Sequence, residues 1–261
     1  MSLRIVVLVK HVPDATGDRQ FAEDHTTDRE TVDGLLSELD EYAVEQALRI
    51  SEATEGAQVT VLTVGPDDAA QALRKALSMG ADDAVHVIDD ALHGTDVLGT
   101  SLVVASALEK VGYDLVLAGM ASTDSAMGVL PALVAERLGV PQLTLLSELA
   151  VHDGTVTGRR DGDTAIEQLE ARLPAVVSVT DQSGEARYPS FKQIMAAKKK
   201  SVETLDLDGL GIKADAVGLT GAGTAVETIT ARAPRAAGTV IVDEGDGGRK
   251  LAEFLASQKF I

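Results

Sequence analysis

Apolar residues fall along this chain in short unbroken runs separated by helical stripes. Residues 3–9 (LRIVVLV), 84–88 (AVHVI) and 115–118 (LVLA) are apolar almost without alternation, the pattern of parallel strands covered on both faces. Residues 58–64 (QVTVLTV) alternate and also read as a strand. Leu39, Ala43, Val44, Ala47 and Ile50 keep one face of an intervening helix apolar. Ser37 with Asp40 three residues on predicts a capping box at its start, and it ends near Gly56. Gly65-Pro66-Asp67 turns into a helix over 68–79 closed by Gly80. Thr95 caps a further helix running to Lys110, with Leu98, Leu102, Ala105 and Leu108 inward, and Gly112 closes it. A last helix starts near Leu130, because Pro131 is tolerated only in a first turn, and stops at Gly139 and Pro141. Strand and helix therefore alternate four times, which predicts an α/β fold with a doubly wound, Rossmann-like parallel sheet.

Three stretches depart from this rhythm. Residues 10–36 carry Pro13, Gly17, Gly34 and many charges but almost no periodic apolar residues, and read as a long excursion, a hairpin over the sheet edge. Residues 142–151 read as one strand, Asp153-Gly154 as a hairpin turn and 159–172 as charged strand. With the apolar run 175–180 after Pro174, these are expected to extend the sheet antiparallel. Beyond Ser183 a polar, lysine-ended segment leads to a spacer with Gly209, Gly211, Gly218, Gly221 and Gly223, then to an amphipathic stretch, 248–260, with Leu251, Phe254 and Leu255 on one side. The expected organisation is an α/β domain over 1–182, a recognition segment over 183–200, and a linker with a C-terminal arm, docked on a partner, over 201–261.

Residues 114–141 hold the one stretch that suits a ligand. A buried strand, a loop of small residues and a helix follow one another there, so N–H groups around 125–129 are expected to point out of a positive helix end, where a nucleotide phosphate could sit. An ordinary strand-to-helix connection explains the same residues. If the first strand is central and the winding reverses between it and the strand at 114, Lys10 and Asp124 face each other across the crevice.

Composition narrows the classes. Lys+Arg of 23 against Asp+Glu of 41 gives a net charge of −18, which repels nucleic acid and acidic membranes. There is no cysteine, hence no disulfide, thiolate or iron–sulfur chemistry. Met1 leads straight into the first strand, and no apolar run approaches 18 residues, so a cytoplasmic protein with no membrane insertion is expected. His11, His25, His86, His93 and His152 lack metal-ligand spacing, so no metal is expected. His86, inside an apolar strand, reads as a satisfied core or edge residue. No phosphate-binding GxxxxGK[ST] and no GxSxG elbow occur, and Gly221-Ala222-Gly223 reads as linker glycines. Aromatics are 3% and Trp is absent, so a flavin would need most of its stacking surface from elsewhere. Tyr188-Pro189-Ser190-Phe191 puts a scarce aromatic in a polar turn, either as a contact for another protein or as a satellite core.

Ordered motifs carry a resemblance. Val9-Lys10-x-Val12-Pro13, Asp40-Glu41-Tyr42-Ala43-Val44-Glu45, Ala76-Leu77-x-Met79-Gly80-Ala81-Asp82, Gly158-x-Arg160-x-x-Asp163, Glu167-x-Leu169 before Pro174-Ala175-Val176-Val177, and Ile194-Met195-x-Ala197-Lys198-Lys199-Lys200 together resemble the beta subunit of electron-transfer flavoproteins. The resemblance implies a heterodimer whose alpha subunit holds most of a redox FAD, while the beta subunit buries an AMP. It also implies an electron carrier without catalytic residues, taking electrons from acyl-CoA and related dehydrogenases in fatty acid oxidation and passing them to a quinone oxidoreductase. The AMP pocket implied comprises Leu8 by its backbone, Val64, Gly65, Gly119, Asp124, Gly128, Val129 and Leu130. The implied docking residues are Tyr188, Phe191, Ile194 and Met195. The chain departs from the family pattern in Ala126-Met127-Gly128-Val129, where the family has Asp-Thr-Gly-Gln, and in Ser37-Glu38-Leu39, Ala15 and Thr164-Ala165. Two alternatives stand beside this: a flavin-bifurcating member with FAD in place of AMP, and a non-redox nucleotide-binding stress or signalling module.

Overall fold

The computed structural model describes residues 2–231, 233, 238 and 240–261. In chain order the elements are β1 (Arg4–Leu8), β2 (His11–Pro13), β3 (Gly34–Leu36), α1 (Glu38–Ala53), β4 (Gln58–Val64), α2 (Ala70–Met79), β5 (Asp83–Val87), α3 (Val97–Val111), β6 (Leu115–Gly119), α4 (Leu130–Leu138), β7 (Gln142–Leu146), β8 (Glu148–His152), β9 (Thr155–Asp161), β10 (Ile166–Arg172), β11 (Ala175–Val179), α5 (Phe191–Ala197), β12 (Glu203–Leu205), α6 (Gly218–Gly221) and α7 (Gly247–Ser257). A first compact unit ends at Glu227, and Thr228–Ile261 form a second, which contains α7.

Seven parallel strands form the central sheet in the order β12-β5-β4-β1-β6-β11-β7. β1 is central and the winding reverses between it and β6, so the expected crevice exists at their carboxyl ends. The unbroken apolar runs fill both faces. Ile5, Val7, Val61, Leu115, Leu117 and Val177 pack with α1 and α2 on one side, while Val6, Leu62, Val85, Val116 and Val176 pack with α3 and α4 on the other.

Several expectations are corrected. The sheet is not finished antiparallel: β7 and β11 both join it in parallel, and β10-β9-β8 form a separate antiparallel sheet. Residues 142–151 are two strands, because Leu145 takes φ +62 and Ser147 hands the chain from one sheet to the other. Asp153 and Gly154 do make the β8–β9 turn, with φ of +50 and +73. The excursion is rooted in the pair β2–β3, which follows the central strand and contacts α2, so it sits over the carboxyl end of β1 and not over an edge. Asp96, not Thr95, caps α3 by accepting from the Gly99 N–H, and Leu98 is exposed. Ser37 makes no side-chain cap of α1, and the reciprocal half of the box is also absent: the Ser37 N–H donates to the Lys10 carbonyl and the Asp40 carboxylate turns to the Lys10 N–H. Residues 203–217, read from their glycines as spacer, belong to the first unit's core: β12 extends the sheet, and Leu205, Leu207, Ile212 and Val217 are buried. Among the described residues no helix is long and apolar enough to cross a membrane, and no cluster of acidic or histidine side chains could hold a metal ion.

Candidate functional site

Two features stand out in the first unit: the crevice at the β1–β6 switch point and an exposed apolar ridge on α5. The crevice is built from chain ends. Leu8 and Gly119 close β1 and β6, and Val64 with Gly65 closes the neighbouring β4. Lys10 and Asp124 meet across it as expected, with Nζ to Oδ1 2.9 Å apart. Arg29, which the sequence reading missed because its excursion has no periodicity, reaches over and places Nη2 2.7 Å from Asp124 Oδ2. Arg19 donates to the Thr123 carbonyl at 2.9 Å, so two arginines hold the excursion against the loop after β6.

The Asp124 side chain is 2% exposed, so burial pushes its carboxyl up. The Lys10 charge, the Ser122 hydroxyl and Arg29 outweigh burial and hold it well below the usual carboxylate range. Asp40, also missed as a site residue, lies beneath. It accepts from the Lys10 N–H at 2.8 Å, and a Cβ on residue 119 would stand 2.6 Å from its Oδ1 and from the Leu39 carbonyl. Only glycine at 119 lets the start of α1 approach the end of β6 this closely. Burial pushes Asp40 up to about 7, against the Lys10 N–H, the Lys10 charge and the Gly119 N–H, with Asp124 adding to the rise.

That shift has a testable sign. The folded value lies above the unfolded 3.8, so between about pH 4 and 7 the native state binds the extra proton and this group's contribution is lost as pH rises. The expected result is that Asp40→Asn gains stability relative to wild type from pH 5 to pH 8, by about 1–4 kcal/mol. Thermal melts in which the two proteins run parallel over that range would contradict it.

The loop before α4 is more closed than expected. The Ser125 N–H turns back to Asp124 Oδ1 at 2.7 Å and the Ala126 N–H to the Ser122 carbonyl at 2.9 Å. Ala126 and Gly128 take φ of +51 and +68. Among the described residues the N–H groups of Met127, Gly128, Val129 and Leu130 donate to no other residue. Val129 and Leu130 open the nine-residue α4, where helix geometry leaves donors unsatisfied, and Met127 and Gly128 immediately precede it. With Lys10 and Arg29 only 38% and 30% exposed, the donor set fits an anion such as a phosphate. Gly65 is different: its N–H goes to Val87 and its carbonyl meets His86 Nε2 at 2.9 Å, so both its backbone polar groups are engaged by β5. His86 is thereby a satisfied core residue.

On the ridge, Tyr188 is 94% and Phe191 79% exposed, with Ile194 and Met195 also exposed beside them. Phe191 is therefore not part of a satellite core. Ser190 and Gln193 form a reciprocal capping box that starts α5 immediately after the turn.

The all-parallel sheet and a polar crevice at its switch point define an α/β protein of the Rossmann-like class. The family model that matches is the electron transfer flavoprotein domain, over residues 24–210. An electron transfer flavoprotein subunit beta of Mycobacterium leprae is 51% identical over 263 residues, covering 98% of this chain and 99% of the relative. One from Megasphaera elsdenii is 30% identical, covering 99% and 100%, and the Caffeyl-CoA reductase-Etf complex subunit CarD of Acetobacterium woodii is 32% identical, covering 86% of each. The chain belongs to the electron transfer flavoprotein family, on the side of its beta subunits.

Proposed function

We propose that this chain is the beta half of a heterodimeric, cytoplasmic electron carrier that takes electrons from acyl-CoA and similar flavoprotein dehydrogenases and passes them to a quinone oxidoreductase. In this reading an alpha subunit holds most of the FAD, and the crevice holds AMP. The observation that carries it is the cluster of donors at the β1–β6 switch point: Lys10 and Arg29, positioned by Asp124, and the N–H groups of Met127–Leu130, which have no partner among the described residues, suit one phosphate group. Leu8, Val64, Gly65, Gly119, Asp124, Gly128, Val129 and Leu130 are the proposed AMP contacts, with Asp124 acting through its hold on Lys10 and Arg29. Tyr188, Phe191, Ile194 and Met195 are the proposed contacts for a dehydrogenase. In the second unit, α7 exposes Leu251 and Phe254, and serves in this reading as the arm that grips the alpha subunit.

The placement of the aromatics supports a flavin held elsewhere. Tyr113 lies before β6 at the amino end of the sheet, Phe21 is in the excursion, and Tyr42 packs against the core from α1. A second reading, FAD in this pocket instead of AMP, is favoured by one feature: Met127 and Val129 are exposed apolar side chains at the crevice loop, where a flat ring could pack. Expression of the chain alone and together with its alpha subunit tests the proposal. The chain alone is expected to be colourless, and the pair yellow with a flavin spectrum. A stoichiometric flavin on the isolated chain overturns it.

A further inference from the structure

The α5 ridge is exposed along its middle and tied down at both ends. At its entry, Arg187 places Nε 2.7 Å from Glu45 Oε2 and donates its backbone N–H to the same oxygen at 3.1 Å. Its other nitrogens reach Glu52 Oε1 and Oε2 at 2.5 and 3.2 Å. The Glu45 side chain is 5% exposed, and Arg49 Nε closes its other oxygen at 2.7 Å. Gln46 Nε2 donates to the Ser183 carbonyl at 2.7 Å, and Arg49 Nη2 to the Glu185 carbonyl at 3.3 Å. These α1 residues, 45, 46, 49 and 52, recur at helical spacing, so one face of one helix holds the segment that leads into α5. At the exit, Arg74 of α2 donates to the Ala197 and Lys200 carbonyls at 3.0 and 2.6 Å, and Ala197 is buried.

A helix of seven residues does not hold itself together in water. Its order therefore comes from the capping box, from its packing against α2 and from these two anchors. We infer that Arg187 and Arg74 are positioning residues that preorganise the Tyr188–Phe191–Ile194–Met195 ridge for its protein partner, so that the ridge binds as a rigid body instead of folding on contact. The inference rests on the reading of the ridge as a dehydrogenase contact. Preorganisation removes an ordering cost that a loose segment would meet at the moment of binding.

The test uses the heterodimer, a purified acyl-CoA dehydrogenase as the binding probe, and amide exchange over residues 188–196. Arg187→Gln is expected to speed exchange there and to weaken binding about 5- to 30-fold. Flavin content is expected to stay at the wild-type level. Arg187→Lys keeps the charge but loses the planar fork, and falls between the two. In a Phe191→Ala background the further loss from Arg187→Gln shrinks below about 3-fold, because a ridge without its anchor gains little from being held. Unchanged exchange and affinity, or full additivity with Phe191→Ala, overturns the inference. Should Arg187→Gln fail to fold, Arg74→Gln repeats the test from the other end. If Phe191→Ala itself leaves affinity intact, the docking reading fails, while the exchange data still decide whether the anchors order the ridge.

Discussion

Phe191→Ala lowers affinity for a flavoprotein dehydrogenase by about 30- to 1000-fold and leaves the fold intact. The magnitude is that of a truncated aromatic anchor at an interface hot spot, about 2–4 kcal/mol. The sign on stability follows from exposure: a ring that is 79% exposed has little buried area to lose when it is cut back. Ser190 and Gln193 keep their capping box, and Arg187 and Arg74 keep their bonds to Glu45 and to the Ala197 carbonyl, so the backbone of α5 stays in place. The crevice is built from other elements, so AMP and flavin contents stay at wild-type levels. Electron transfer then falls through a raised apparent KM for the flavoprotein, with kcat little changed. A melting curve and a binding isotherm on the same variant check both halves. A Tm that drops while affinity holds would mean that Phe191 packs against something in the assembled protein.

Asp124→Ala is expected to cost about 2–4 kcal/mol of stability, toward the lower part of the range for breaking a buried ion pair. It removes the carboxylate that holds Lys10 and Arg29 at 2.9 and 2.7 Å, and takes away the acceptor for the Ser125 N–H. Both cations keep some access to water, which limits the loss. They would then face each other and a positive helix end with only the buried Asp40 carboxyl beneath to offset them. An added phosphate restores a counter-charge, so excess AMP should raise the Tm of this variant more than that of wild type. The pH dependence has a definite direction. The folded carboxyl sits below its unfolded 3.8, so its stabilisation is present above about pH 4 and is lost as pH falls. The gap between wild type and variant should accordingly close in acid. Equal melting curves at pH 7 would show that the excursion is held by other contacts.

Much of the sheet is legible in the chain, because strands buried on both faces leave unbroken apolar runs. β1, β4, β5 and β6 are read within a residue or two of their observed ends, and the Lys10–Asp124 pairing follows once the winding is taken to reverse after β1. What escapes the sequence is of a different kind. β12 is a three-residue edge strand just before a glycine-rich stretch, too short for any period to register. The β7–β8 handover depends on a left-handed Leu145, which no residue type announces. Asp40 looks like half of a capping box, yet a backbone N–H thirty positions earlier takes its carboxylate. Arg29 and Arg187 meet their partners across 95 and 142 positions, so their roles depend on topology and not on local pattern. The exposure of Tyr188 and Phe191 is legible for the opposite reason: in a chain with 3% aromatics, an aromatic in a polar turn is conspicuous.

Nucleotide content decides the central claim most directly. The heterodimer is purified, precipitated with acid, and the released nucleotides are separated and counted against protein. The account predicts one AMP and one FAD per heterodimer, with AMP and no flavin released from this chain when it is isolated. Two FAD and no AMP per heterodimer would contradict it.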